Sequence, residues 1–127
     1  MAVLNTSEDV VQMLIMALED ALGVRAVGGH VIDLKSGKPD FAEFVKRYNP
    51  KVIIFDITPP YGENWEFLQM LLQDDAAKNR EFVLTTANER LLKEIAGPDI
   101  DAFEISEKPY DIHVIVEAVR RKLNSLA

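Results

Sequence analysis

Three polar residues, Asp56, Thr86 and Lys108, each follow an apolar stretch and stand thirty and then twenty-two residues apart. Asp56 ends the run Val52-Ile53-Ile54-Phe55, Thr86 ends Phe82-Val83-Leu84-Thr85, and Lys108 comes just after Ala102-Phe103-Glu104-Ile105. A carboxylate, a hydroxyl and an ammonium brought to one place are equipped for phosphoryl chemistry. The carboxylate attacks phosphorus, while the hydroxyl and the ammonium hydrogen-bond the phosphoryl oxygens and balance their charge. Each residue alone has a plainer use, as a loop cap, a strand end or a solvated turn. Their order and setting raise the chemical reading, with Pro60 four residues after Asp56 and Pro109 directly after Lys108.

The trio converges only if the preceding runs are neighbouring parallel strands that end on one edge. Val52 to Phe55, apolar without alternation, suits a strand covered on both faces, and Pro59-Pro60 must stop it because proline supplies no ladder N–H. Ala2-Val3-Leu4 predicts a first strand, with Asn5 and Thr6 as turn and cap residues. Val10, Val11, Leu14, Ile15, Leu18 and Leu22 predict a helix that Gly23 ends. Residues 24–27 read as a second strand that runs into a loop at Gly28-Gly29, and 32–39 as a polar, mobile loop. Asp40 caps a helix striped by Phe41, Phe44, Val45 and Tyr48. After a loop through Asn64, Trp65, Leu68, Leu71 and Leu72 mark the third helix; 88–95 form a short fourth one, stopped by Gly97-Pro98. Residues 102–105 are a fifth strand diluted by Glu104, and Ile112, Ile115, Val116, Val119 and Leu123 share one face of a last helix. Strands alternating with helices require a parallel sheet covered on both sides. The predicted architecture is therefore α/β: a (βα)5 three-layer sandwich of the flavodoxin-like type, with a five-stranded parallel sheet and helices on both faces.

The chain has 127 residues, the size of one domain spanning 1–127. It is 48% hydrophobic with a formal net charge of -7, the composition of an acidic globular protein. That sign disfavours nonspecific attachment to nucleic acid or anionic membrane. Cysteine is absent, which excludes disulfides and thiolate chemistry. The first residues carry neither a basic flank nor a long apolar segment, so a cytoplasmic location is expected. His30 and His113 are isolated, Gly28-Gly29 lacks the spacing of a dinucleotide loop, and Arg120-Arg121-Lys122 suits a helix C-terminus better than a nucleic-acid patch.

With Phe55-Asp56-Ile57-Thr58-Pro59-Pro60, Leu84-Thr85-Thr86-Ala87 and Lys108-Pro109-Tyr110 in these settings, the sequence resembles the response-regulator receiver domains of two-component signalling, over residues 2–123. The resemblance implies a signalling domain of a two-component or phosphorelay system rather than an enzyme. Asp56 would be the phosphoacceptor, Thr86 the hydroxyl that turns toward the aspartyl phosphate, and Lys108 the phosphate-pairing lysine, with a cis bond to Pro109. It also implies a sensor histidine kinase or phosphotransfer protein as donor. A downstream protein partner would dock on the face of the fourth helix and fifth strand, near Leu91, Ile95, Phe103 and Ile105.

The sequence departs from that family in specific places. Mg2+ in receivers is held by a pair of acids after the first strand, and the matching positions here are Asn5 and Thr6. Each missing carboxylate removes roughly 8 kcal/mol of gross attraction to a divalent ion at about 4 Å and an effective dielectric of about 20, before desolvation. By the resemblance, Asp56 and the Thr58 backbone carbonyl would be the remaining metal ligands. Ile105 replaces a common aromatic, and Asn64 stands where glycine is common. The expected function is thus either phosphoryl acceptance on Asp56 or an atypical receiver with impaired Mg2+-dependent phosphorylation. The alternative is a phosphorylation-independent pseudo-receiver that binds a protein. More distantly, Phe55-Asp56-Ile57-Thr58 resembles the nucleophile loop of haloacid-dehalogenase-type phosphatases, although Thr58 stands where their second aspartate belongs.

Overall fold

A computed structural model describes residues 1–38, 40–107 and 112–125. Five strands form one parallel sheet: β1 (Ala2–Asn5), β2 (Val27–His30), β3 (Val52–Ile57), β4 (Glu81–Thr86) and β5 (Glu104–Glu107), in the order β2-β1-β3-β4-β5. The helices are α1 (Glu8–Leu22), α2 (Val31–Ser36), α3 (Phe41–Tyr48), α4 (Tyr61–Leu72), α5 (Glu89–Ala96) and α6 (Ile112–Ser125). Short 3-10 turns lie at Asp75–Ala77 and Gly97–Ala102. This is the predicted α/β architecture, with one more helix among the described residues.

Side-chain alternation along each strand divides the core in two. Val3, Val52, Ile54 and Val83 pack with Val11, Leu14 and Leu18 of α1 and Ile115, Val116 and Val119 of α6. Leu4, Ile53, Phe55, Ile57 and Leu84 face the opposite side, under α2 to α5, with Phe44, Trp65, Leu68 and Leu92. The helix ends follow local chemistry. The Ser7 hydroxyl accepts from the Val10 N–H and Asp40 accepts from the Glu43 N–H, each satisfying a donor that the first turn leaves open.

Several boundaries differ from the sequence reading. The second strand is 27–30, so Gly28 and Gly29 lie inside it rather than in a loop. A Cβ on Gly28 would stand 2.4 Å from Val11 Cγ1, and one on Gly29 would stand 2.7 Å from Leu4 Cδ2; the glycines let neighbouring side chains close over this edge strand. The expected loop at 32–39 contains α2, because Val31 and Leu34 are buried one turn apart and Gly37 ends the helix in the left-handed region. The third predicted helix begins at Tyr61, which places Asn64 inside α4 instead of in a loop. The fifth strand lies two residues later than 102–105, at Glu104–Glu107.

Candidate functional site

The sheet register sets the site. Asn5 pairs with His30, Asp56 with Thr85, and Thr85 with Ser106. Leu4 pairs with Phe55, so Asn5 and Asp56 follow side by side. By alternation from Val3, Ile54 and Val83, the side chains of Asn5, Asp56 and Thr85 belong to the α1 and α6 face. A polar rung therefore crosses the carboxyl end of the sheet: His30, Asn5, Asp56, Thr85, Ser106.

Asp56 is 1% exposed, and its Oδ1 accepts the Thr85 hydroxyl at 2.6 Å. This is a charge-assisted hydrogen bond inside the protein, where an unmet carboxylate would be costly. Asn5 is also buried, and its Oδ1 accepts the backbone N–H groups of Thr6 at 2.7 Å and Ser7 at 3.0 Å. It thereby shapes the turn that delivers the chain to α1. At the outer end of the rung, His30 Nε2 lies 2.7 Å from Glu8 Oε2 on the first turn of α1.

Thr86 was expected beside Asp56, and the structure puts Thr85 there instead. Thr86 pairs with Ile57 one rung further on, and its hydroxyl donates to the Ile57 carbonyl at 3.0 Å. Both threonines are fully buried at the same sheet edge, but adjacent residues of a strand point to opposite faces. The sequence carried the signal in Thr85-Thr86 as a pair, and only the register chooses between them. Lys108, its bond to Pro109 and its approach to Asp56 lie outside the described residues. A cis X–Pro bond is found within them between Pro59 and Pro60.

Thr58, expected to lend its carbonyl to a metal, accepts instead from Asn64 Nδ2 at 2.5 Å. The Asn64 Oδ1 accepts in turn from Lys35 Nζ of α2. Asn64 is legible in the sequence as a departure from the family, whereas Lys35 falls in the stretch that reads as a loop and gives no signal of this contact. The donor set does not suit Mg2+, a hard ion that favours carboxylates and oxygens free to turn toward it. Asn5 is neutral with two N–H groups already on its oxygen, and the Thr58 carbonyl carries an amide donor. Among the described residues no three His, Asp or Glu side chains gather as a metal site.

The face expected to receive a partner mixes exposed and packed residues. Leu91 and Ile95 of α5 are exposed. Ile105 is half-buried against the core, and Phe103 meets Trp65 edge-on at 5.9 Å. No helix among the described residues is long and apolar enough to cross a membrane.

The fold is that of the response-regulator receiver domains. No family model matches the sequence, and a search of the curated proteins finds no match. Solved structures do match. A signal receiver domain of a two-component histidine kinase from Clostridium thermocellum superposes with a TM-score of 0.73 at 18% identity, covering 96% of this chain and 94% of that one. The chemotaxis protein CheY4 of Vibrio cholerae gives 0.71 at 18% identity, covering 94% of each chain. For the response regulator DrrB of Thermotoga maritima the TM-score is 0.68 at 16% identity; 98% of this chain matches 52% of that longer one.

Proposed function

We propose that this chain is a receiver-fold signalling module that acts by binding a protein partner, with Asp56 serving as a buried structural acceptor and not as a Mg2+-dependent phosphoryl acceptor. One observation carries the reading: the Asp56 carboxylate is buried and bonded to the Thr85 hydroxyl, in a rung where its neighbour on β1 is the neutral Asn5. A phosphoryl acceptor must expose an oxygen to an incoming phosphorus and bring a cation to balance the charge that develops. Here the carboxylate is withdrawn from solvent, and Asn5 and Thr6, at the positions of the acid pair that would help hold the cation, are neutral. The exposed Leu91 and Ile95 on α5 supply the apolar contact for a partner in the signalling pathway.

Phosphoryl acceptance on Asp56, from a histidine kinase or a phosphotransfer protein, is the competing reading. It is favoured by the position of Asp56 at the carboxyl end of the central strand, the edge where ligands collect in open α/β sheets. Incubation with acetyl phosphate and Mg2+, followed by intact-mass measurement, separates the two. The chain is expected to remain unmodified. A gain of one phosphoryl group per chain that disappears in Asp56→Asn would overturn the proposal and make Asp56 the acceptor.

A further inference from the structure

Asn64 is 5% exposed and spans two partners whose chemistry leaves it one orientation. The Lys35 ammonium has only protons to offer and the Thr58 carbonyl only lone pairs, so Oδ1 must face Lys35 and Nδ2 must face Thr58. Lys35 is itself held in place. Its Nζ lies 5.7 Å from the centroid of the Phe67 ring and 3.9 Å from Glu63 Oε1, both on α4. Phe67 leans on Phe55 of β3 at 6.4 Å between ring centroids. The bridge thus ties α2 to α4 and to the loop that follows Asp56.

We propose that Lys35 and Asn64 form a latch that withholds the Thr58 carbonyl from a divalent cation, a second block independent of the lost acids at positions 5 and 6. The inference rests on the reading of Asp56 as a site that does not use Mg2+, and it names the residues that keep it so. A cation needs lone pairs aimed at it, while the Asn64 amide presents protons to the carbonyl a metal would take. The Lys35 ammonium at the far end polarises the amide and makes its NH2 end more positive. The carbonyl has two lone pairs and the amide holds one, so an ion must either share the oxygen with the positive end of the amide or displace it. A buried asparagine so displaced would lose one partner or both, a loss that restored carboxylates alone do not remove.

The test titrates MgCl2 into the whole chain and follows Trp65 fluorescence, since Trp65 is buried next to Asn64. Only the saturation midpoint is used, and far-UV circular dichroism checks folding. The background is Asn5→Asp with Thr6→Asp, compared with and without Asn64→Gly or Lys35→Met. Asn64→Gly is expected to tighten the midpoint about fivefold and Lys35→Met about threefold, as for release of one or part of one hydrogen bond. Lys35→Met keeps a long apolar side chain against Phe67, so it decides alone if Asn64→Gly does not fold. No tightening in either latch variant overturns the latch. A saturable response in the unaltered chain overturns the functional reading instead, whatever the latch variants do.

Discussion

Thr85 and Thr86 are the same side chain at consecutive positions, both fully buried, yet their hydroxyls meet acceptors of different charge. Thr85 donates to a carboxylate and Thr86 to a backbone carbonyl. Valine at either position makes the same change of shape, so the comparison sets the bond to the carboxylate against the bond to the carbonyl plus the long 3.5 Å contact that the Thr86 hydroxyl accepts from the Asn88 N–H. Hydrogen bonds to charged groups contribute more than neutral ones, and leaving a buried acceptor short of a donor adds its desolvation. Thr85→Val is therefore expected to lower unfolding free energy by about 2 kcal/mol and Thr86→Val by about 1 kcal/mol, measured by urea denaturation. Equal losses, or the reverse order, would remove Thr85 as the partner that holds Asp56. The sequence made Asp56 legible, because four apolar residues lead into it and two prolines end the strand. It did not reveal which threonine meets it, since residue spacing counts along the chain while the contact depends on strand register. Lys35 stayed hidden for another reason: nothing local links a lysine to an asparagine twenty-nine residues away.

At the scale of elements, periodicity located the long helices and the central strands, and failed where elements are short. α2 has only two buried apolar residues, too few to set a period. β2 contains two adjacent glycines, which in a sequence look like a loop. Here they are required by close approach, because α1 sits so near β2 that a Cβ on Gly28 would press on Val11 Cγ1. Gly28→Ala is expected to cost about 2 kcal/mol by overpacking. In a Val11→Ala background the same substitution should cost less than about half as much, since the atom it strikes is gone. Additive losses in the double-mutant cycle would show that Gly28 is needed for some other reason, such as backbone freedom in the strand.

For the molecule as a whole, a net charge of -7 opposes compactness through self-repulsion, and salt relieves it. Sodium chloride should raise the melting temperature modestly, and on the proposed reading of Asp56 Mg2+ should do no more than sodium chloride at matched ionic strength, since only a specific site would add binding energy. A larger rise with Mg2+ that Asp56→Asn abolishes would reveal such a site. The two core faces also differ in how the chain completes them. α2 to α5 follow one another along the sequence, whereas the opposite face is roofed by α1 and α6, drawn from the two far ends of the described fold. During synthesis α1 can cover only its share of Val3, Val52, Ile54 and Val83, and the rest of that side, which Asp56 and Thr85 share, stays open until residues 112–125 leave the ribosome. The carboxylate is thus sealed in only once α6 has docked, and a nascent chain passes through a stage in which part of this apolar face and its most protected acid are both open to water.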